Sequence, residues 1–346
     1  MLDIVQKFKK NTQILVKLSP VFSFIVPFLM LYLLYPNTFE VTWKGRTYYL
    51  FFLWLVSLEI ILNWEELQSR KIEKMKSTRT IAFIITLLIP TIYVIVANFY
   101  GLNSVIEEIA EQRNIPWANV MPLSTEYLVF AVLFTLAILL EYGTNGLRDF
   151  SISTLFLGII GAIYTIDNIY PQGRFTPFQF FVPTTTTLAA KVLNLMGYMT
   201  WLSTSNAMPT LSAWNSQGAW GAKIAWPCAG IESLLIYTVT VLLFLKKTAI
   251  SWKHKTIYFV IGAIVTYFIN ILRIVTVFTI AINGGDFMRF HDYYGQLYSI
   301  TWIISYPLII IGSRALWRKI RERRTATKNT PLLKPNKIQL FQPNPV

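Results

Sequence analysis

The stretch Trp226-Pro227-Cys228-Ala229-Gly230-Ile231-Glu232-Ser233 joins a long polar segment to an apolar run that continues to Leu245. Cys228 is the only cysteine of the chain, so it can form neither an internal disulfide nor a four-thiolate metal site. Two interpretations of a lone thiol at the mouth of an apolar helix remain. It is either a small buried residue without a chemical role, or a nucleophile.

The composition around this stretch is that of a membrane protein. Of 346 residues, 54% are hydrophobic and only 14% are charged. Several apolar runs reach the length of about 20 residues that crosses a bilayer. We therefore predict an all-α fold, a polytopic membrane helical bundle in the plasma membrane with about eight transmembrane helices. The expected spans are about 19–35, 48–64, 80–100, 125–142, 150–170, 229–245, 257–282 and 295–313.

The net charge of +14 lies mostly in short loops between these runs. This pattern is typical of topology signals and not of a nucleic-acid surface, so we expect no nucleic-acid partner. The segment 184–203 is only moderately apolar. If it does not cross and both chain ends are cytoplasmic, most of the 31 Lys and Arg residues lie inside, as the positive-inside rule requires. We therefore expect an outer-surface amphipathic or re-entrant helix near 184–203.

This topology predicts three regions. Residues 1–18 form a basic cytoplasmic N-terminus, residues 19–313 form the transmembrane domain, and residues 314–346 form a basic, disordered cytoplasmic tail. Within the transmembrane domain, residues 226–313 are expected to form the catalytic part. The region 171–227 becomes one long outer loop, and a loop of that length is usually functional. Cys228 then lies at the outer surface.

Arg273 is the strongest functional signal because it stands inside the apolar run 257–282. An arginine within a membrane span costs about 2.5 kcal/mol or more to insert, so it usually faces a wet cavity or a protein interior. Asn270, three residues earlier on the same helix face, is placed to orient the guanidinium. An ion pair between Arg273 and Glu232 is the structural alternative, and both roles are compatible.

Arg273 and His291 give Cys228 two plausible chemical partners. The guanidinium is always charged, so it can stabilise an oxyanion and favour a thiolate. His291 follows in the next outer loop, where it can serve as a general base and a general acid. The second histidine, His254, lies among lysines in a cytoplasmic loop and is interpreted as solvated. With one cysteine and two separated histidines, we expect no metal site and no cofactor.

Together these residues resemble the exosortase/archaeosortase family of integral membrane cysteine transpeptidases. The resemblance rests on Cys228-Ala229-Gly230, on Asn270-x-x-Arg273-Ile274, and on His291 followed by Gly295. The motif-bearing part covers about residues 226–313, and the N-terminal half matches only as hydrophobic spans. The ordered trio in this topology is more specific than any single motif.

The resemblance implies catalytic roles for Cys228, Arg273 and His291, supported by Asn270 and Glu232. It implies substrates that are exported proteins ending in a short motif, a transmembrane helix and a basic cluster. Such a substrate would be cleaved at the outer surface through a Cys228 thioester, and its new C-terminus passed to an acceptor, a membrane lipid in some branches. The alternatives are a transporter, or a lipid or glycosyl transferase, with Arg273 and Glu232 in the substrate path.

Overall fold

The computed structural model of the chain describes residues 2–41, 43–64, 67, 78–170, 179–203 and 208–329. The longer helices in these ranges are α1 (Leu2–Leu34), α2 (Thr47–Leu62), α3 (Thr78–Phe99), α4 (Leu102–Gln112), α5 (Met121–Asp149), α6 (Ser151–Ile169), α7 (Phe181–Leu195), α8 (Ile231–Lys247), α9 (Trp252–Ile282) and α10 (Gly295–Asn329). Three strands, β1 (Met199–Ser203), β2 (Thr210–Trp214) and β3 (Ala219–Lys223), lie between α7 and α8.

Each of the eight predicted spans corresponds to a helix, so the helical membrane bundle is confirmed. Among the residues that the structure describes, five helical stretches have the length and apolarity needed to cross a membrane: 81–99, 118–149, 151–169, 252–282 and 298–317. The apolar helices 18–34 and 47–62 are shorter. In α3, Ile81, Ile85, Leu88 and Ile92 are all at least half exposed at helical spacing. A continuous apolar stripe of this kind suits contact with lipid.

An aromatic core holds the N-terminal helices α1, α2, α5 and α6 together. Phe28 stacks on Tyr49 with ring centroids 4.5 Å apart, and Phe130 meets both rings edge-on. Offset-stacked and edge-to-face pairs of this kind add to the free energy gained by burying apolar area. Beside these rings, Arg46 forms a two-pronged contact with Glu126, with Nε–Oε1 at 2.8 Å and Nη2–Oε2 at 3.1 Å.

A second buried cluster joins α7, the sheet and the C-terminal half of α9. Leu193 of α7, Leu211 of β2 and Phe278 of α9 are fully buried members of it. Trp43, in the connection between α1 and α2, packs against both clusters. The N-terminal helices therefore support the cluster that contains the Cys228 turn.

The segment 184–203 differs from the single helix that the sequence predicts. The helix α7 ends at Leu195, and Gly197 adopts a left-handed conformation with φ of +90°. Glycine adopts this conformation without the penalty of a Cβ atom, so it terminates the helix. The chain then enters β1, which pairs antiparallel with β2, and β2 pairs antiparallel with β3. Threonine and tryptophan favour strands, which the hydropathy of the segment does not reveal.

The chain divides into a compact unit that ends at Ile303 and a second unit that begins at Ile304. Both chain ends are helical over their described parts: α1 begins at Leu2, and α10 continues past the predicted boundary at 313 to Asn329. The predicted tail beyond 329 lies outside the described residues, as do parts 171–178 and 204–207 of the predicted outer loop.

Candidate functional site

Cys228 lies on a short 3-10 turn, Trp226–Ala229, that leads into α8. Its backbone N–H donates to the carbonyl of Ala225 at 3.0 Å. Gly230 follows with φ of +88° and caps α8. This left-handed residue lets the chain turn sharply from β3 into the helix. Cys228 as a whole residue is half-buried, and it stands just before the first turn of α8.

Asn270 of α9 fixes this turn from the side. Its amide Nδ2 donates to the backbone carbonyl of Cys228 at 2.9 Å. A Cβ atom at Gly230 would lie 2.8 Å from the same amide group, so only glycine permits this close approach. The sequence suggests that Asn270 orients Arg273. The structure gives the amide a different partner, the backbone of the nucleophile candidate.

Arg273 binds the segment that carries His291. Its Nη2 donates to the backbone carbonyl of His291 at 3.1 Å. His291 stands in a π-helical turn, Phe290–Tyr294, directly before α10. A Cβ atom at Gly295 would lie 2.6 Å from Nε of Arg273, so the absence of a side chain makes room for the guanidinium. The structure thus brings two of the predicted residues together, and explains the glycine that follows them.

Burial dominates the electrostatics of the thiol. Burial raises the pKa of Cys228 above its ordinary value, the positive charge of Arg273 lowers it, and the negative charge of Glu232 raises it. Arg273 therefore acts in the direction expected from the sequence, but burial outweighs it. A thiol with a raised pKa is protonated at neutral pH, so reaction as a thiolate requires a base to remove its proton.

Glu232 occupies the first turn of α8, where a carboxylate suits the positive end of the helix dipole. Its side chain lines a small cavity together with Tyr48, Tyr164 and Trp226. These neighbours belong to α2, α6 and the Cys228 turn. Glu232 thus connects the turn with the N-terminal helices while its charge acts on the thiol.

A buried ion pair that the sequence does not reveal supports the Cys228 turn. Lys44 Nζ lies 2.9 Å from Asp167 Oδ2, and both side chains are less than 10% exposed. The same ammonium donates to Asn168 at 2.6 Å and sits 3.1 Å from the ring centroid of Trp117. Asp167 also accepts a 2.7 Å hydrogen bond from the indole N–H of Trp226, two residues before Cys228.

A signal for this ion pair was available in the sequence. Asp167 lies near the end of the apolar run 150–170, where an unpaired carboxylate would be as costly as the guanidinium of Arg273. Its partner Lys44 stands 123 positions earlier in a loop, and counts in the sequence only as a topology charge. The pairing itself depends on how α6 packs beside that loop, which no local pattern encodes.

His254 is placed apart from these residues, at the start of α9. It is exposed, and its Nδ1 lies 2.7 Å from Oγ of Ser251. Within the described ranges, no group of three or more His, Cys, Asp or Glu side chains is arranged to hold a metal ion.

A family model described as transmembrane exosortase matches residues 21–306. The match covers the N-terminal aromatic core as well as Cys228, Arg273 and His291. No curated protein and no solved structure matches the chain.

Proposed function

The chain belongs to the transmembrane exosortase family, and from this premise we propose that it is a membrane-embedded cysteine transpeptidase that processes exported proteins. Its substrates would end in a short recognition motif, a transmembrane helix and a basic cluster. The enzyme would cleave them at the outer surface of the plasma membrane and transfer the new C-terminus to an acceptor. Cys228 would be the nucleophile, with Arg273 and His291 completing the site.

The observation that carries this proposal is that Arg273 acts on both other residues. Its guanidinium donates to the backbone of His291, and its charge acts on the thiol of Cys228. An intramembrane arginine that only filled space would be expensive. An arginine that binds the turn carrying His291 and whose charge acts on the thiol can stabilise negative charge that develops beside the thiol.

The first chemical step in this proposal forms a thioester. The His291 imidazole takes the proton from Sγ of Cys228, and the thiolate attacks the carbonyl carbon of the scissile peptide bond. Arg273 stabilises the oxyanion of the tetrahedral intermediate. As the intermediate collapses, the C–N bond breaks, and the imidazolium gives its proton to the departing amine. The fragment that leaves contains the transmembrane helix and the basic cluster.

The second step transfers the acyl group. An acceptor amine attacks the thioester carbonyl, and His291 takes a proton from the amine. The C–S bond then breaks, and the imidazolium returns this proton to the departing thiolate, which regenerates the thiol. Attack by water gives a free carboxylate by the same route. A membrane lipid with a primary amine would fit an acyl group held at the membrane surface.

The depth of the nucleophile supports this choice of substrate. Cys228 precedes α8 by three residues, so it lies at the end of an apolar helix. A scissile bond just outside the transmembrane helix of a substrate lies at headgroup depth. The nucleophile and the bond would then meet without either helix leaving the bilayer.

The test compares the C-termini of exported membrane proteins in cells that produce the wild-type chain, Cys228→Ala or Cys228→Ser. The proposal predicts a set of proteins that lose their C-terminal helix only with the wild type. If both variants restore full processing to a strain lacking the gene, the proposal is wrong.

The same experiment separates the transporter and transferase alternatives. Function that survives Cys228→Ser but is lost in Arg273→Ala would favour a transporter with Arg273 and Glu232 in its path. A transferase that uses an acidic base would also be insensitive to thiol reagents. Loss of processing with all three substitutions supports the cysteine transpeptidase.

A further inference from the structure

The three-stranded sheet leaves one backbone edge open beside the candidate site. Among the residues that the structure describes, β3 pairs with β2 alone. The pairs Pro209/Ile224 and Asn215/Gly218 bracket the ladder, with N–H···O distances of 2.9 and 3.0 Å. In an antiparallel ladder, hydrogen-bonded pairs alternate with pairs whose N–H and C=O groups point outward. The outward residues of β3 are therefore Ala219, Gly221 and Lys223.

These three residues are accessible at the surface of the sheet. All three are exposed, and two of them have a methyl group or no side chain. An edge strand with unpaired N–H and C=O groups is a template for another extended chain. Proteins use such edges to bind peptides by strand addition. Lys223 stands only at the end of the edge, so it leaves the middle open.

The opposite face of β3 is fixed to both other parts of the site. Trp220 packs against Phe278 of α9 at 4.6 Å between ring centroids, and against Phe287 at 4.9 Å. Phe278 lies on the helix that carries Arg273, and Phe287 precedes the turn that carries His291. Trp220 and Ala222 of β3 therefore pack on the same buried cluster as Phe278.

The strand also leads directly to the nucleophile. Cys228 follows Lys223 by five positions, so their Cα atoms lie at most about 18 Å apart. The connecting residues Ile224 and Trp226 are buried, and the indole of Trp226 is held by Asp167. A peptide paired with β3 would therefore reach the thiol within about five extended residues.

We propose that the open edge of β3 binds the substrate polypeptide as a fourth, extended strand. This inference rests on the proposed function and assigns the occupant as the segment on the N-terminal side of the scissile bond. That segment lies outside the membrane, since the substrate's helix follows the bond. The outward N–H and C=O groups of Gly221 pair with the peptide backbone. Affinity comes from backbone hydrogen bonds, and alternate substrate side chains face the two sides of the sheet.

The experiment compares Gly221→Pro with Gly221→Ala. Both substitutions add a Cβ atom 2.8 Å from Oγ of Ser212, a side chain that can rotate away. Only proline also removes the outward N–H and places a ring in the edge. The probe is the C-terminal segment of a protein whose processing depends on Cys228, supplied to purified enzyme below saturation. We expect Gly221→Pro to process it about tenfold more slowly than Gly221→Ala, the factor expected for one lost hydrogen bond.

Alkylation of Cys228 reports whether the site is intact in both variants. Equal alkylation rates with equal processing rates would overturn the proposal. If proline disturbs alkylation, the wild-type enzyme provides the test through probes that carry one N-methyl group at successive backbone positions. Strand pairing predicts that an N-methyl group slows processing at every second position of the probe. Equal processing rates for all of these probes would overturn the proposal. Processing that is indifferent to Cys228→Ala would instead refute the proposed function, so the two failures are distinguishable.

Discussion

The N-terminal core and the C-terminal site differ in how they treat buried charge. In the core, Arg46 and Glu126 satisfy each other with two short contacts, and Tyr49 donates a third hydrogen bond to the carboxylate at 2.7 Å. In the site, Arg273 donates to a backbone carbonyl of a connecting turn. The core thus joins a guanidinium to a carboxylate, whereas in the site a guanidinium binds the backbone of the turn that carries His291 and its charge acts on the Cys228 thiol.

This difference distinguishes charges that stabilise the fold from a charge that is proposed to act in the reaction. A charge that is fully paired stabilises one arrangement and has little effect on a ligand. Arg273 binds the backbone of the turn that carries His291, and its charge acts on the thiol, so it can also respond to negative charge that develops beside the thiol during a reaction. The ion pair of Lys44 and Asp167 resembles the pair in the core, because both of its charges are paired. It supports the Cys228 turn through the hydrogen bond from Trp226 to Asp167.

The largest expected effect is a loss of stability when the buried ion pair of the core is disrupted. Glu126→Gln keeps the shape of the side chain but removes the charge that balances Arg46, whose side chain is only 9% exposed. Leaving a buried charge without its partner costs about 3 kcal/mol. We expect a clear loss in the free energy of unfolding in detergent, with nearly normal activity per folded molecule. Glu108→Gln on the exposed face of α4 is the control. Unchanged stability with lost activity would contradict the division between core and site.

The second-largest expected effect is a loss of processing when Arg273 of the site is replaced. Arg273→Lys keeps the positive charge but loses the planar fork that reaches the His291 carbonyl. Loss of one donor to an oxyanion typically lowers the turnover rate about 100-fold or more, so processing should fall by that factor. Thermal unfolding should change little. The exposed Arg289→Lys, on the same connection between α9 and α10, is the matched control. Equal activity of both variants would remove Arg273 from the mechanism.

A third, smaller effect tests the connection between the two regions. Trp226→Phe keeps a buried aromatic ring but removes the indole N–H that Asp167 accepts. A hydrogen bond to a charged group contributes about 1.5–3 kcal/mol, part of which holds the Cys228 turn in place. We expect a roughly tenfold slower reaction and an altered rate of Cys228 alkylation. Trp201→Phe, at an exposed position of β1, should leave both rates near wild type. A Trp226→Phe enzyme with normal rates would show that the turn needs no such support.

The smallest effect concerns the charge balance at the thiol. Alkylation requires the thiolate, so its rate rises with pH through the pKa of Cys228. Since Glu232 raises that pKa, Glu232→Gln should move the alkylation profile to lower pH. Arg273→Gln should move it to higher pH, because the charge of Arg273 lowers the pKa. Shifts in the opposite directions would contradict the placement of these two charges.

The sequence predicts the eight apolar helices because run length and hydropathy are properties of neighbouring residues. It also identifies Arg273, since an isolated charge in an apolar run needs a partner. It does not predict the sheet at 199–223, whose short strands depend on packing against α7 and α9. Nor does it pair Lys44 with Asp167, because that contact joins residues far apart in the chain.

The motif glycines show a similar limit. Gly230 and Gly295 stand out only as parts of a motif in the sequence. The structure explains them by the close approach of Asn270 and Arg273, respectively. Such approaches are set by the crossing of two helices and a connecting turn, and cannot be deduced from spacing along one of them.

The most direct test of the central claim is detection of the thioester itself. Purified enzyme is mixed with a labelled substrate, quenched in acid, and examined for a covalent enzyme–substrate species. The account predicts an adduct on Cys228 that neutral hydroxylamine releases, and no such adduct in Cys228→Ala. Substrate processing at the wild-type rate by Cys228→Ala would contradict the account.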